Sequence, residues 1–168
     1  MKTKTTILPA SLRIWLTKKN WIPPFLVWSL ADDPDWRVRR FMALWRDNLP
    51  GRLLEKLGND PDWRVRVGLA GRQGYIPNYM LESLACDISW RVRVILAGRN
   101  DLPEKVLAML ADDRNKWVRE ALVTEQHLPN YLLCKLRDDP EENVRKVATM
   151  VRLANDTNFH VRESVAKL

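Results

Sequence analysis

The chain has 168 residues, 46% hydrophobic and 29% charged, a balance that excludes intrinsic disorder and suits one ordinary domain with a real core. No run approaches the ~20 apolar residues of a membrane-spanning helix, and Arg13, Lys18 and Lys19 interrupt any signal-peptide core, so a cytoplasmic address and no membrane partner are expected. The net charge of +7 is uneven: residues 1–31 hold five bases and no acid, residues 101–168 eleven bases and twelve acids, so an anionic partner should meet the N-terminal half.

Taken in chain order, Leu8-Pro9, Leu12 and Leu16 read as the first helix of a pair whose second helix is missing, because Pro23 follows too soon. Residues 1–21 are therefore expected to form a half-repeat that caps the N-terminal end. From residue 22 a unit recurs. Asp33-Pro34-Asp35-Trp36-Arg37-Val38-Arg39 returns at residues 60–66, and in varied form as Asp87-Ile88-Ser89-Trp90-Arg91-Val92-Arg93. Anchored on the Val-Arg pair, the copies fall at Val38, Val65, Val92, Val118, Val144 and Val161, spaced 27, 27, 26, 26 and 17 residues apart.

Other columns align with that anchor. Arginine follows each valine, at Arg39, Arg66, Arg93, Arg119, Arg145 and Arg162. Aspartate stands five residues before it, at Asp33, Asp60, Asp87, Asp113, Asp139 and Asp156, and leucine eight before, at Leu30, Leu57, Leu84, Leu110, Leu136 and Leu153. In the five full copies proline stands fifteen before, at Pro23, Pro50, Pro77, Pro103 and Pro129. This period predicts an all-α, right-handed solenoid of two-helix repeats in one repeat domain: five full repeats over 22–146 and a truncated C-terminal cap over 147–168.

Within a repeat, the first helix opens with proline in its first turn and turns residues such as Leu53, Leu54 and Leu57 to one face. Asp60-Pro61-Asp62 ends it, with Asp62 placed to cap the second helix. That helix carries Val65 and Leu69 inward before the loop from Gly71 to Tyr75. Helices of two or three turns do not hold alone, so stacking on neighbouring repeats must supply most of the stability.

The motif Leu-Pro-x(6)-Leu-x(2)-Asp-x(4)-Val-Arg, as in Leu128-Pro129, Leu136, Asp139 and Val144-Arg145, resembles that of the leucine-rich repeat variant family, a relative in style of HEAT repeats. The likeness runs over about residues 8–168. It implies a right-handed superhelix in which ordinary helices alternate with shorter, partly 3₁₀ ones. One member type carries an N-terminal four-cysteine iron–sulfur segment; no cysteine precedes Cys86 here, so that cofactor does not carry over. Cys86 and Cys134 lack metal-ligand spacing and are expected to be buried apolar fillers, and His127 and His160 are isolated. No cofactor or metal is expected.

The aspartate and arginine columns recur in every copy, whereas an enzyme needs its acid once, in one shaped pocket. They are expected to be architectural. Trp36, Trp63 and Trp90, each followed by Arg37, Arg64 or Arg91, lie two residues before the anchor, about 160° around the helix from the core-facing valine. They predict a stripe of alternating indole and guanidinium groups that either binds a partner or packs as a structural ladder. The stripe stops near residue 100: Lys116 and Glu142 take the position, Trp117 shifts by one, and the spacing shortens. Trp15, Trp21, Trp28 and Trp45 are expected to pack near the N-terminal cap, and Tyr75 and Tyr131 to fill loops or grooves. No catalytic constellation is visible, so the expectation is a non-enzymatic scaffold that binds a protein partner. The alternative is nucleic-acid binding through the basic Trp/Arg half. A weaker one is a HEAT-like DNA glycosylase, in which a unique acid such as Glu82 would serve.

Overall fold

The computed structural model describes residues 8–19, 21–45, 49–124 and 128–155. Asp156, Val161, Arg162, His127 and His160 lie outside them. The described residues form eleven α-helices and no strand. In chain order these are α1 (Ala10–Thr17), α2 (Pro24–Ala31), α3 (Trp36–Trp45), α4 (Gly51–Gly58), α5 (Trp63–Ala70), α6 (Asn78–Ala85), α7 (Trp90–Ala97), α8 (Glu104–Ala111), α9 (Lys116–Val123), α10 (Asn130–Arg137) and α11 (Glu142–Asn155). The fold is thus an all-α array of helix pairs, with α2, α4, α6, α8 and α10 as first helices.

The repeat prolines stand one place earlier than the first turn predicted for them. Pro23, Pro50, Pro77, Pro103 and Pro129 are N-caps, with φ from −55° to −61° and ψ from 142° to 148°. An N-cap engages the helix only through its carbonyl, so a residue with fixed φ and no N–H loses nothing there. The carbonyl of Pro50, for example, accepts N–H groups from Leu53 and Leu54 at 2.8 and 3.1 Å. The second helices start differently: the side chains of Asp35, Asp62 and Asn115 each accept the backbone N–H two residues on, at 2.9 Å. Both kinds of helix are α-helical among the described residues, which departs from the partly 3₁₀ alternation that the family resemblance implies. The tighter three-residue bonds occur at helix ends, as from Asp60 N–H to the Leu57 carbonyl.

The core follows the sequence columns. Val38, Val65, Val92, Val118 and Val144 have no exposed surface, and Leu30, Leu57, Leu84, Leu110 and Leu136 are buried. Burial of each such side chain contributes about 1.5–3 kcal/mol relative to exposure.

Two compact units divide the chain, residues 1–92 and 93–168. In the first, α3 packs most extensively on α5, and the first helices α2, α4 and α6 contact one another more sparingly. Gly68 permits the close approach. A Cβ at that position would lie 2.7 Å from the Arg40 carbonyl oxygen and 3.5 Å from the Ala43 Cβ. In the second unit α9 packs on α8 and α11, and α10 on α11.

Helix α1 joins the row of second helices, contrary to the first-helix role that Leu8-Pro9 predicts. It packs chiefly on α3, and its fourth residue, Arg13, pairs with Asp33, just as Arg39, the fourth residue of α3, pairs with Asp60. The Leu-Pro opening is shared, but the arginine decides the row. Cys86 and Cys134 are exposed and free, not buried fillers. Cys86 occupies the C-cap of α6, where polar Asp32, Asn59, Asp112 and Asp138 stand after the other first helices. Among the described residues no helix is long and apolar enough to cross a membrane.

Candidate functional site

The aspartate column makes one set of bonds at every turn between the helices of a repeat. Asp33, Asp60, Asp87, Asp113 and Asp139 each accept the backbone N–H two residues on, at 2.8–2.9 Å. The arginine of the preceding repeat grips the same carboxylate with two parallel bonds. In Arg39–Asp60, Arg66–Asp87, Arg93–Asp113 and Arg119–Asp139 the Nε–O distances are 2.5–2.7 Å and the Nη2–O distances 2.8–3.1 Å. Nη1 of Arg39, Arg66, Arg119 and Arg145 donates at 2.6 Å to the carbonyl of the aspartate in its own repeat. One planar guanidinium therefore ties two successive turns together, which lysine cannot do.

The electrostatics match that role. Hydrogen bonds donated to Asp60, Asp87 and Asp139 raise Arg39, Arg66 and Arg119 above the ordinary guanidinium value, against the opposing effect of burial. Burial pushes Asp139 up, but the Arg119 hydrogen bond, the Glu141 N–H and the charges of Arg119 and Arg145 together outweigh it. The Asp139 carboxyl stays below its ordinary range. Groups held in their charged forms this way are not placed to exchange protons near neutral pH.

The tryptophan stripe lies in the first unit. Trp36, Trp63 and Trp90 are the opening residues of α3, α5 and α7; the indoles are half-buried, whereas Arg37, Arg64 and Arg91 are exposed. The Arg64 guanidinium lies 4.8 Å from the Trp36 ring and 5.0 Å from Trp63. Arg91 lies 5.1 Å from Trp63 and 4.7 Å from Trp90, and Arg37 lies 6.0 Å from Trp36. Each of Arg64 and Arg91 thus bridges two indoles a repeat apart, with about 0.5–1 kcal/mol in each exposed cation–π contact. Arg37 and Arg64 also approach Asp35 and Asp62 of their own N-caps, at 3.3 and 3.4 Å. At the third step Ser89 replaces that aspartate. In the second unit the position holds Lys116 and Glu142; Lys116 lies 5.6 Å from the Trp117 ring and 3.5 Å from Glu141.

This geometry limits the chemistry. Each indole already has a guanidinium 4.7–5.1 Å from its ring, so a nucleobase stacking on that face would have to displace an arginine. The arginines themselves are the accessible element, and they suit carboxylates or phosphates spaced one repeat apart.

Other polar groups in the repeats are structural. The Tyr79 hydroxyl donates to Glu55 at 2.7 Å and that of Tyr131 to Glu104 at 2.9 Å, and these bonds raise both phenols above their ordinary value. Tyr131 thus clasps adjacent first helices while half-exposed, and Tyr75 is largely exposed; neither fills a groove. A cleft of about 270 Å³ between α4 and α6 is lined by residues including Glu55, Tyr79 and Met80, but not by Glu82. Among the described residues no group of three or more His, Cys, Asp or Glu could hold a metal ion.

One surface differs from its sequence expectation. Trp15, Trp21, Trp28 and Trp45 are exposed rather than packed, together with Phe25 and Leu12. Lys19 lies 4.0 Å from the Trp15 ring, and Lys18 lies 5.2 and 5.6 Å from the rings of Phe41 and Trp45. The crowding of aromatics into an acid-free segment was visible in the sequence. That these rings stay exposed was not.

Comparison with known proteins finds a family model and solved structures that match. The model of the leucine-rich repeat variant family matches residues 90–115, a stretch running from the start of α7 to the N-cap of α9. A solved structure described as "a leucine-rich repeat variant with a novel repetitive protein structural motif" is similar, with 27% identity and a TM-score of 0.65 over 97% of this chain and 69% of that one. No curated protein matches. The repeat columns, the helix-pair array they build and these matches agree: the chain resembles the leucine-rich repeat variant family in its repeat and its fold.

Proposed function

We propose that this chain is a non-enzymatic binding scaffold that recognises a protein partner by taking acidic side chains onto the Trp–Arg column of α3, α5 and α7. The observation that supports this reading is the stack Trp36–Arg64–Trp63–Arg91–Trp90, with half-buried rings and exposed guanidiniums. The rings hold the arginines extended and lower the entropy cost of engaging them. Each ring already carries a guanidinium that a stacking base would have to displace, which favours carboxylates over single-stranded nucleic acid. The recurrence of the same Arg–Asp pair from repeat to repeat supports the non-enzymatic part of the reading.

The test is a titration of a fluorescent glutamate-rich peptide, a single-stranded oligothymidylate and a duplex against the protein and its Arg64→Ala/Arg91→Ala variant. The expected result is peptide binding weakened at least ~10-fold in the variant, with a similar melting temperature, since these arginines are exposed. Equal peptide binding by both proteins would overturn the proposal. Tighter oligonucleotide binding that falls by orders of magnitude between low and physiological salt would replace it with the nucleic-acid reading.

A further inference from the structure

The three arginines of the Trp–Arg column hold the same place on successive second helices, but their surroundings differ by one carboxylate. Asp35 and Asp62 stand just before α3 and α5, whereas Ser89 stands just before α7. Each of the two aspartates accepts the backbone N–H of the arginine two residues on, at 2.9 Å. Each also approaches that arginine's guanidinium, at 3.3 Å for Asp35–Arg37 and 3.4 Å for Asp62–Arg64. Serine supplies a capping oxygen without a charge. The backbone turn is the same: the Ser89 carbonyl accepts the Val92 N–H at 3.0 Å, as the Asp62 carbonyl accepts that of Val65. Among the described residues the exposed Arg91 guanidinium meets indoles, 5.1 Å from Trp63 and 4.7 Å from Trp90. Arg91 thus has the ring support of Arg64 without the neighbouring carboxylate.

We infer that Arg91 is the primary carboxylate site of the column and that Ser89 is the residue that makes it so, an assignment that rests on the binding role proposed above. An acid arriving at Arg37 or Arg64 meets a guanidinium already shared with Asp35 or Asp62, and lies beside that like charge. At Arg91 neither cost arises, and the planar fork is open to a grip through two parallel bonds. A second carboxylate of the same partner then reaches Arg64. The Trp63 ring lies 5.0 Å from Arg64 and 5.1 Å from Arg91, so the two guanidinium groups are at most about 10 Å apart, the separation of stacked helices. The partner segment therefore offers its leading acid to Arg91 and a trailing acid about one repeat away.

Exchanging aspartate and serine tests this without removing a cap, because the two are about equal at the N-cap. The probe is the fluorescent glutamate-rich peptide, titrated against the full chain and its variants, with melting temperatures measured alongside. Arg91→Ala is expected to weaken binding more than Arg64→Ala does, by at least about threefold. Ser89→Asp should weaken it about fivefold at a similar melting temperature, the factor set by one like charge about 4 Å away in water. Asp62→Ser should tighten binding by a similar factor, because it gives Arg64 the surroundings of Arg91. Ser89→Asn has the shape of the aspartate without its charge and should weaken binding less than Ser89→Asp, by at least about twofold. That gap should narrow as ionic strength rises from about 0.01 M to about 0.15 M, over which the screening length falls from about 30 to about 8 Å. A packing effect at Ser89 would follow neither charge nor salt. Parental binding by both Ser89→Asp and Asp62→Ser, with Arg64→Ala/Arg91→Ala still weakened, would overturn the role of Ser89 and Arg91 and leave the column as a binding surface. Parental binding by Arg64→Ala/Arg91→Ala would overturn both.

Discussion

Replacing Arg119 with alanine tests the claim that the charged columns are architecture. Arg119 and Asp139 are both almost fully buried, their paired bonds are 2.6 and 2.8 Å long, and Arg119 also donates to the Asp113 carbonyl at 2.6 Å. Truncation leaves the Asp139 carboxylate with the Glu141 N–H and the charge of Arg145. Breaking a buried pair by deleting one member costs about 3–5 kcal/mol. Here the carboxylate borders an open cleft of about 300 Å³, and water entering it offsets part of the loss, so about 2–4 kcal/mol is expected. Arg119→Lys keeps the charge but not the fork and should cost about 1–2 kcal/mol. Urea unfolding followed by circular dichroism gives the totals. A double-mutant cycle with Asp139→Ala should return a coupling of at least about 1 kcal/mol. Hydrogen exchange should place the loss in α8–α11, because a repeat array distributes its stability over nearest neighbours. A total below about 0.5 kcal/mol with no coupling would refute the reasoning and leave Val118, Leu122 and their packing as the whole source of stability there.

Further expectations concern the same framework. Gly68→Ala should destabilise by about 1–3 kcal/mol in the same unfolding assay, because its Cβ meets backbone that cannot yield, whereas Gly51→Ala, with nothing within 4 Å, should stay within about 0.5 kcal/mol of the parent. Arg13→Ala leaves the buried Asp33 carboxylate with the Asp35 N–H and the charge of Arg39, so the α1 amides should lose exchange protection before those of α5. The depressed Asp139 carboxyl contributes stability that is fully present above its unfolded value of ~3.9 and is lost as the pH falls through its lower folded value. Acid titration of the melting temperature should therefore show the decline steepening below about pH 4, with the Asp139→Asn variant losing less over that window.

Periodicity was legible without coordinates because it is a local property written many times. Asp, Val and Arg recur at fixed offsets, and a helical face follows from spacing alone. The N-caps of the second helices and the alternation of indole with guanidinium were likewise readable, since each depends on neighbours in sequence or on the same position one repeat away. The limits were set by what lies next to a residue in space. Leu8-Pro9 looks like a first-helix opening, and only the pairing of Arg13 with Asp33 places α1 in the other row. Trp15 and Leu12 have the residue types and spacing of core positions, yet both are exposed, which no local pattern encodes. Cys86 looks like a small apolar filler until the turn after α6 carries it to the surface. Composition and spacing thus determined the repeat and its charged ladder, because bonds between equivalent positions repeat with the chain. Tertiary structure alone decided which faces are covered, because burial is a property of the neighbour and not of the residue.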